Sequence, residues 1–256
     1  MRNLPNLRLA LPTTLLALPF ALAVRPDAPA PGPPSAMTRI PARVLWSWER
    51  REDLRQIDTQ RYAIAWLDQT ITIDLNVHAE ARRNPVLPPP GAMRIPVVRI
   101  ETRPHAVLNE TNRAATVRAL LASAGESGIA ALQIDFDATV SQRTFYRSVL
   151  EDVRRQMPAG LPLSITALAS WCSFDDWLGG LPVDEAVPMM FRMEPDRRRP
   201  PPDVDAFAIR EPKCAGAVGL STSEPWPEWM RGRRVYVFAD DGWNREDLAQ
   251  LERRLR

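Results

Sequence analysis

At Ala131–Val140 the chain reads ALQIDFDATV. Gln133, Asp135 and Asp137 alternate there with Leu132, Ile134 and Phe136. In an extended conformation the three polar side chains share one face and the three apolar ones the other. Two carboxylates on neighbouring positions of one face suit cleavage of a glycosidic bond, in which one acid protonates the leaving oxygen and a second carboxylate assists. Close negative charges raise the pKa of one partner, so one acid can stay protonated for that task. A strand in a parallel sheet ordinarily buries two apolar faces. A polar face therefore calls for a sheet with a lumen or a cleft on that side.

Other apolar runs end in similar residues. RVLWSWERRED offers Trp46, Trp48 and Glu49, and IPVVRIE offers Arg99 and Glu101. Trp171 follows LSITALAS, and Arg192 ends EAVPMMFR. STSEPW brings Glu224 and Trp226, and ADDGW brings Asp240, Asp241 and Trp243. Trp faces stack on sugar rings, while carboxylates and Arg hydrogen-bond hydroxyls. Each residue also has a plainer reading. Asp137 can cap the turn into the next helix. Asp135 can be a buried structural carboxylate paired with Arg99. Any single Trp can be packing. Joint location at one end of a sheet is what separates the functional reading from these.

Eight short apolar runs supply candidate strands: Arg43–Trp48, Tyr62–Leu67, Ile95–Glu101, Ala131–Asp137, Leu163–Ser170, Glu185–Arg192, Gly216–Ser221 and Arg234–Asp240. Helix-like stretches lie between them. NETNRAATVRALLASAGESG has Asn109 or Thr111 as N-cap and Gly125 or Gly128 as stop. SQRTFYRSVLEDVRRQMP has Ser141 as cap, Phe145, Val149 and Val153 at helical spacing, and Pro158 as terminator. EDLRQIDTQR, SFDDWLGGL, PWPEWMRG and the closing REDLAQLERRLR complete the set. Alternating strands and helices predict a parallel sheet with right-handed crossovers. Eight units in this length predict an irregular (β/α)8 TIM-type barrel, with an open doubly wound sheet as the alternative. No glycine-rich phosphate motif follows any strand, which removes support for the nucleotide-binding forms. Two stretches break the alternation. TITIDLNVHAEARRNPVLPPPG reads as an extra extended segment or hairpin followed by a Pro-rich loop. MEPDRRRPPPDVDAFAIREP holds at most one short helix, near Asp203–Ile209. In a barrel the polar face of ALQIDFD points into the lumen and climbs to the C-terminal mouth, where barrel active sites lie.

The first residues form a separate unit. Arg2 and Arg8 precede an apolar run from about Leu9 to Val24, and Ala21 and Ala23 give a small-x-small site. This is the layout of a secretory signal peptide over 1–23. An uncleaved membrane anchor is the alternative, although the run is short for a span and is interrupted by Pro12 and Pro19. Residues 24–37 are a Pro/Ala-rich linker, and 38–256 form the barrel domain. The formal charge of +2 comes from the leader, whose removal leaves basic and acidic residues equal in number. Such a balance gives no field for nucleic acid. Export permits a disulfide. However, Cys172 falls past the C-terminal end of the fifth strand and Cys214 just before the seventh. Parallel strands place those positions at opposite ends of the barrel, so two free thiols are expected. His78 and His105 have no metal-ligand spacing, and no G-x-S-x-G elbow occurs. No metal or cofactor is expected.

VLWSWERREDL, VVRIET, LQIDFDA and LSITALASW together resemble a bacterial family of exported proteins, domain of unknown function 3142, whose name carries no activity. A more distant similarity is to chitinase-like TIM-barrel glycoside hydrolases, whose fourth strand runs D-x-D-x-E. Gln133, Asp135 and Asp137 stand at those three places. The resemblance implies Asp137 as the acid and Asp135 as its partner. Gln replaces the first Asp, and the acid is one methylene shorter than Glu. The sixth strand of that clan often reads M-x-Y-D, whereas MMFR puts Phe191 and Arg192 at the last two places. These departures count against a substrate-assisted N-acetyl mechanism. The expectation is an exported, periplasmic or secreted protein of glycoside hydrolase type. Asp137 and Asp135 would do the chemistry. Gln133, Trp48, Glu49, Arg99, Glu101, Trp171, Arg192, Glu224, Asp240 and Trp243 would hold a polysaccharide or oligosaccharide. The alternative is a non-catalytic carbohydrate-binding or envelope-assembly protein on a degenerate barrel, or a scaffold held at the membrane by an uncleaved leader.

Overall fold

The computed structural model describes residues 36–191 and 208–255. The expected leader and nearly all of the linker lie outside these residues, as do Arg192 and most of the short helix expected near Asp203–Ile209, whose last two residues, Ala208 and Ile209, are described and are not helical. Ala36–Arg39 forms a 3-10 turn whose Met37 is buried with Ile40 against Val44 and Ala217. Packing thus begins just before the expected domain start.

The strands are β1 (Arg43–Ser47), β2 (Glu52–Asp53), β3 (Tyr62–Ile73), β4 (Val77–Ala81), β5 (Val86–Leu87), β6 (Arg94–Thr102), β7 (Leu132–Asp135), β8 (Leu163–Leu168), β9 (Glu185–Met189), β10 (Ala217–Ser221) and β11 (Arg234–Phe238). Eight of them close a parallel barrel in the order β1-β3-β6-β7-β8-β9-β10-β11. Closure is explicit at β1, where Val44 aligns with Ala63 of β3 on one side and Tyr236 of β11 on the other. All eight expected strands are present, and the barrel is the architecture the alternation called for.

Two apolar surfaces hold it together. The lumen is filled by Val44, Trp46, Ala63, Ala65, Ile95, Val97, Val187, Tyr236 and Phe238. The outer face of β6–β8 packs Val98, Ile134 and Ile165 under two long helices, α1 (Glu110–Ala124) and α2 (Arg143–Gln156). Asn109 caps α1 by accepting from Asn112 N, and Gly125 ends it. The entry to α2 differs from expectation. Val140–Gln142 is a 3-10 turn, and Gln142 Oε1 accepts from Thr139 N at 2.9 Å, so the cap is Thr139 rather than Ser141. A last helix, α4 (Arg245–Arg254), is capped by Asn244 and buries Leu251 with Leu45 and Ile64.

The irregular stretches have local causes. β3 runs past the barrel and pairs with β4 as an antiparallel hairpin, with Thr70 opposite Glu80 and Thr72 opposite His78. EDLRQIDTQR is not a helix. Asp53 and Asp58 bond the N–H groups of Arg55 and Gln60, two residues on, and such local bonds compete with helix formation. Glu52 is buried, and its carboxylate accepts from Trp243 N at 2.9 Å. SFDDWLGGL is likewise not helical. The helix there, α3 (Ala169–Ser173), starts earlier, because β8 ends at Leu168. PWPEWMRG holds only a 3-10 turn at Glu228–Met230.

The cysteines overturn an expectation. Cys172 and Cys214 form a disulfide with a Cα–Cα distance of 5.9 Å. The error lay in treating them as strand ends. Cys172 sits on α3, which folds back against β9, and Cys214 lies in a 3-10 turn, Pro212–Cys214, that packs on the same strand. The backbone N–H groups of Arg210 and Glu211 reach the Cys172 carbonyl and bring the two segments side by side.

Candidate active site at the barrel mouth

The lumen face of β7 climbs through three environments. Gln133 is wholly buried, and its Nε2 donates to Ser164 Oγ at 3.1 Å. Two residues up, Asp135 is 7% exposed and fully engaged: Arg99 Nη1 donates to Oδ2 at 2.9 Å and Thr166 Oγ1 to Oδ1 at 2.7 Å. Arg99 and Asp135 are register partners across β6 and β7, so sheet pairing itself delivers this contact. Asp137 lies past the strand end and is open to the cavity, and no described residue donates a hydrogen bond to it. The capping role goes to Thr139 instead, which removes the plainer reading of Asp137.

Arg99 organises the mouth. Its Nε donates to Glu101 Oε1 at 2.8 Å, and its guanidinium lies 5.5 Å from the centre of the Trp48 ring. Burial alone would lower its pKa, but the charges of Asp135 and Glu101 hold it above the ordinary value. The pKa of Asp137 is also raised, which in a carboxyl favours the neutral form. Burial comes first, then the negative charge of Asp135, and both raise its pKa against the opposing pull of Arg99. Protein atoms surround the group on most sides, yet its surface remains open to solvent. Solvent screening therefore limits the rise.

Asp135 and Asp137 share a cavity of about 720 Å³ with Trp46, Trp48, Glu49, Arg99, Glu101, Phe191 and Phe238. Its floor is aromatic. Phe191 and Phe238 stack with centroids 5.8 Å apart, and Trp46 meets Phe191 and Trp48 edge-on at 6.4 and 6.3 Å. The β3–β4 hairpin raises one wall and contributes Thr70, Thr72 and Glu80. That wall was not among the expected site residues. Its signal was the alternation in TITI, where Ile71 and Ile73 are buried and Thr70 and Thr72 face the cavity.

Six expected residues thus come together: Trp48, Glu49, Arg99, Glu101, Asp135 and Asp137. Of these, Glu49 is tied down. Burial would raise its pKa, but N–H groups of Asn84 and Arg83 bond its carboxylate and hold it below the ordinary range. Five do not reach the cavity. Gln133 lies beneath the floor. Trp171 is buried edge-on to Trp177 in the outer core. Trp243 donates from Nε1 to the Trp46 carbonyl at 2.9 Å and supports the floor from outside. Asp240 accepts from Ser221 and Ser223. Glu224 is half-buried beside Arg254, which bonds its carbonyl. Among the described residues no three His, Cys, Asp or Glu side chains gather as a metal site would require.

Residues 90–190 match DUF3142, a domain of unknown function. The DUF3142 segment runs from just before β6 to just past β9, so it carries Arg99, Glu101, Asp135 and Asp137. No curated protein sequence matches the chain. Among solved structures, the crystal structure of the Bacillus cereus spore cortex-lytic enzyme SleL is similar at 16% identity and a TM-score of 0.40, covering 57% of this chain and 42% of that one. The match thus spans less than half of that enzyme.

Proposed function

We propose that this is an exported glycoside hydrolase-like protein that takes a polysaccharide or oligosaccharide into the barrel mouth. Asp137 is the general acid in this reading, and Asp135 is its fixed, charged neighbour. The observation that carries it is the difference between two carboxylates two residues apart. Asp135 has each oxygen bonded, while Asp137 accepts no hydrogen bond from the described residues and faces the cavity. A carboxyl with a raised pKa beside a carboxylate bonded by Arg99 and Thr166 fits the division of labour between two acids in glycosidic cleavage. The aromatic floor supplies apolar faces for sugar rings, and Glu101, Thr70 and Thr72 supply hydrogen bonds to hydroxyls. The disulfide supports export, since such bonds persist in oxidising compartments. Among the described residues no helix is long and apolar enough to cross a membrane.

One observation favours the non-catalytic alternative. Arg99 bridges Asp135 and Glu101, so neither is a free nucleophile, and the cleft would then bind a glycan without cutting it. Titration with a panel of envelope and biofilm polysaccharides tests both readings. Trp48 fluorescence should change with at least one of them, and reducing ends should appear only in the catalytic case. A folded protein that responds to none of the panel would refute the carbohydrate role.

A further inference from the structure

Met189 of β9 and Gly219 of β10 are register partners, and Met190 N donates to the Gly219 carbonyl at 2.9 Å. The backbone at Gly219 is not in the left-handed region, so nothing in its conformation calls for glycine. What calls for it is space. A Cβ at this position would lie 2.6 Å from Met189 Sδ, 3.1 Å from its Cε and 3.5 Å from the Pro188 carbonyl oxygen. The Met189 side chain therefore lies across the bare Cα of Gly219. It also lines the cavity, together with Phe191 and Phe238. Below it the lumen is closed: Val187, Ala217 and Tyr236 are wholly buried.

We propose that Gly219 and Met189 set the depth of the cavity, and that Met189 is a specificity-determining residue whose thioether meets the sugar ring seated deepest. The inference rests on the saccharide reading of the mouth. Methionine is unbranched and fills irregular gaps by rotation. With a methyl group on residue 219 and a packed layer beneath, its one open direction is up, into the space a sugar would occupy. Close-packed interiors do not absorb an added methyl silently. The same logic makes Met189 a limit on the bulk of the deepest sugar's substituents.

The test uses the full chain as Gly219→Ala, Met189→Ala and the double variant. Each is titrated with N-acetylchitohexaose and with cellohexaose by Trp fluorescence, beside its melting temperature. Gly219→Ala should melt normally and weaken the tighter-binding hexasaccharide on the order of tenfold. The double variant should recover the affinity of Met189→Ala, because the displaced side chain is gone. Met189→Ala should shift the ratio of affinities toward the bulkier N-acetylated chain. Wild-type affinity in Gly219→Ala overturns the proposal, and so does a double variant as weak as Gly219→Ala. Should Gly219→Ala not fold, Met189→Phe fills the same space from the partner strand, and unchanged binding there is equally fatal. A wild-type protein that binds neither hexasaccharide overturns this inference, while the saccharide reading itself falls only if the polysaccharide panel is silent as well. That outcome differs from binding that is indifferent to residue 219.

Discussion

Replacing Asp137 by Asn separates catalysis from structure because of what the carboxylate lacks. It accepts no hydrogen bond from the described residues, and it faces the charge of Asp135. The near-isosteric amide therefore removes a repulsion and breaks no bond. The sign in pH follows from linkage. The folded-state pKa of Asp137 lies above its unfolded value of about 3.9, so the unfolded chain binds fewer protons between the two values. Wild-type stability from this group is thus greatest at low pH and falls as pH rises through that window. Asp137→Asn should melt no lower than wild type at pH 7 and at most about 2 °C higher, since the side chain is solvent-exposed and screened. The difference should fade as pH drops below about 3, where the wild-type acid is protonated in both states. Turnover should fall by about 10²–10⁴, the usual worth of a general acid. Asp135→Asn is the contrast. It strips a charge-assisted bond from Arg99, whose side chain is 34% exposed. About 1–3 kcal/mol is at stake, which is roughly 2–12 °C for a chain of this size. The assay is a melting curve at several pH values beside the hydrolysis rate on whichever glycan binds. An Asp137→Asn protein that melts as wild type and cleaves at the wild-type rate refutes the general-acid role. One that loses both stability and activity refutes the claim that Asp137 is structurally idle.

Two further outcomes are expected. The disulfide spans 42 residues of sequence, so Cys172→Ser with Cys214→Ser should cost about 4 kcal/mol in the chain-entropy account. The melting temperature should then drop by roughly 8–16 °C, and a drop under 2 °C would mean that the bond does not form or does not constrain the chain. N-terminal sequencing of protein from the envelope or medium should begin just after Ala23, and an intact Met1 there would contradict cleavage of the leader.

The barrel was legible because each of its eight strands is an apolar run of β-branched and aromatic residues bounded by turn residues, and strand existence needs only local pattern. Helices were legible where apolar spacing and a cap agreed, as in α1 with Asn109 and Gly125. They misled where Asp residues found nearer partners, as Asp53 and Asp58 do in EDLRQIDTQR. The disulfide was illegible for a different reason. Its geometry depends on how two non-strand segments fold back over β9, and periodicity says nothing about the path of a loop.

The site divides along the same line. Alternation fixed which residues of ALQIDFD face the lumen, and strand register then made Arg99 the partner of Asp135. What alternation cannot give is height along the barrel axis. Gln133, Asp135 and Asp137 share a face, but the first is sealed beneath the floor, the second is held at its level and the third stands free above it. Trp171 and Trp243 fail for the same reason. Each follows a strand end in sequence, yet α3 turns the first outward, and Trp243 turns beneath Trp46. Conversely Thr70 and Thr72 reach the cavity only because β3 continues beyond the barrel and β4 pairs with it. The chemistry proposed for the mouth therefore depends less on having two aspartates than on one strand step of rise. That step puts Asp135 within reach of Arg99 and Thr166 and leaves Asp137 beyond them, open to the cavity.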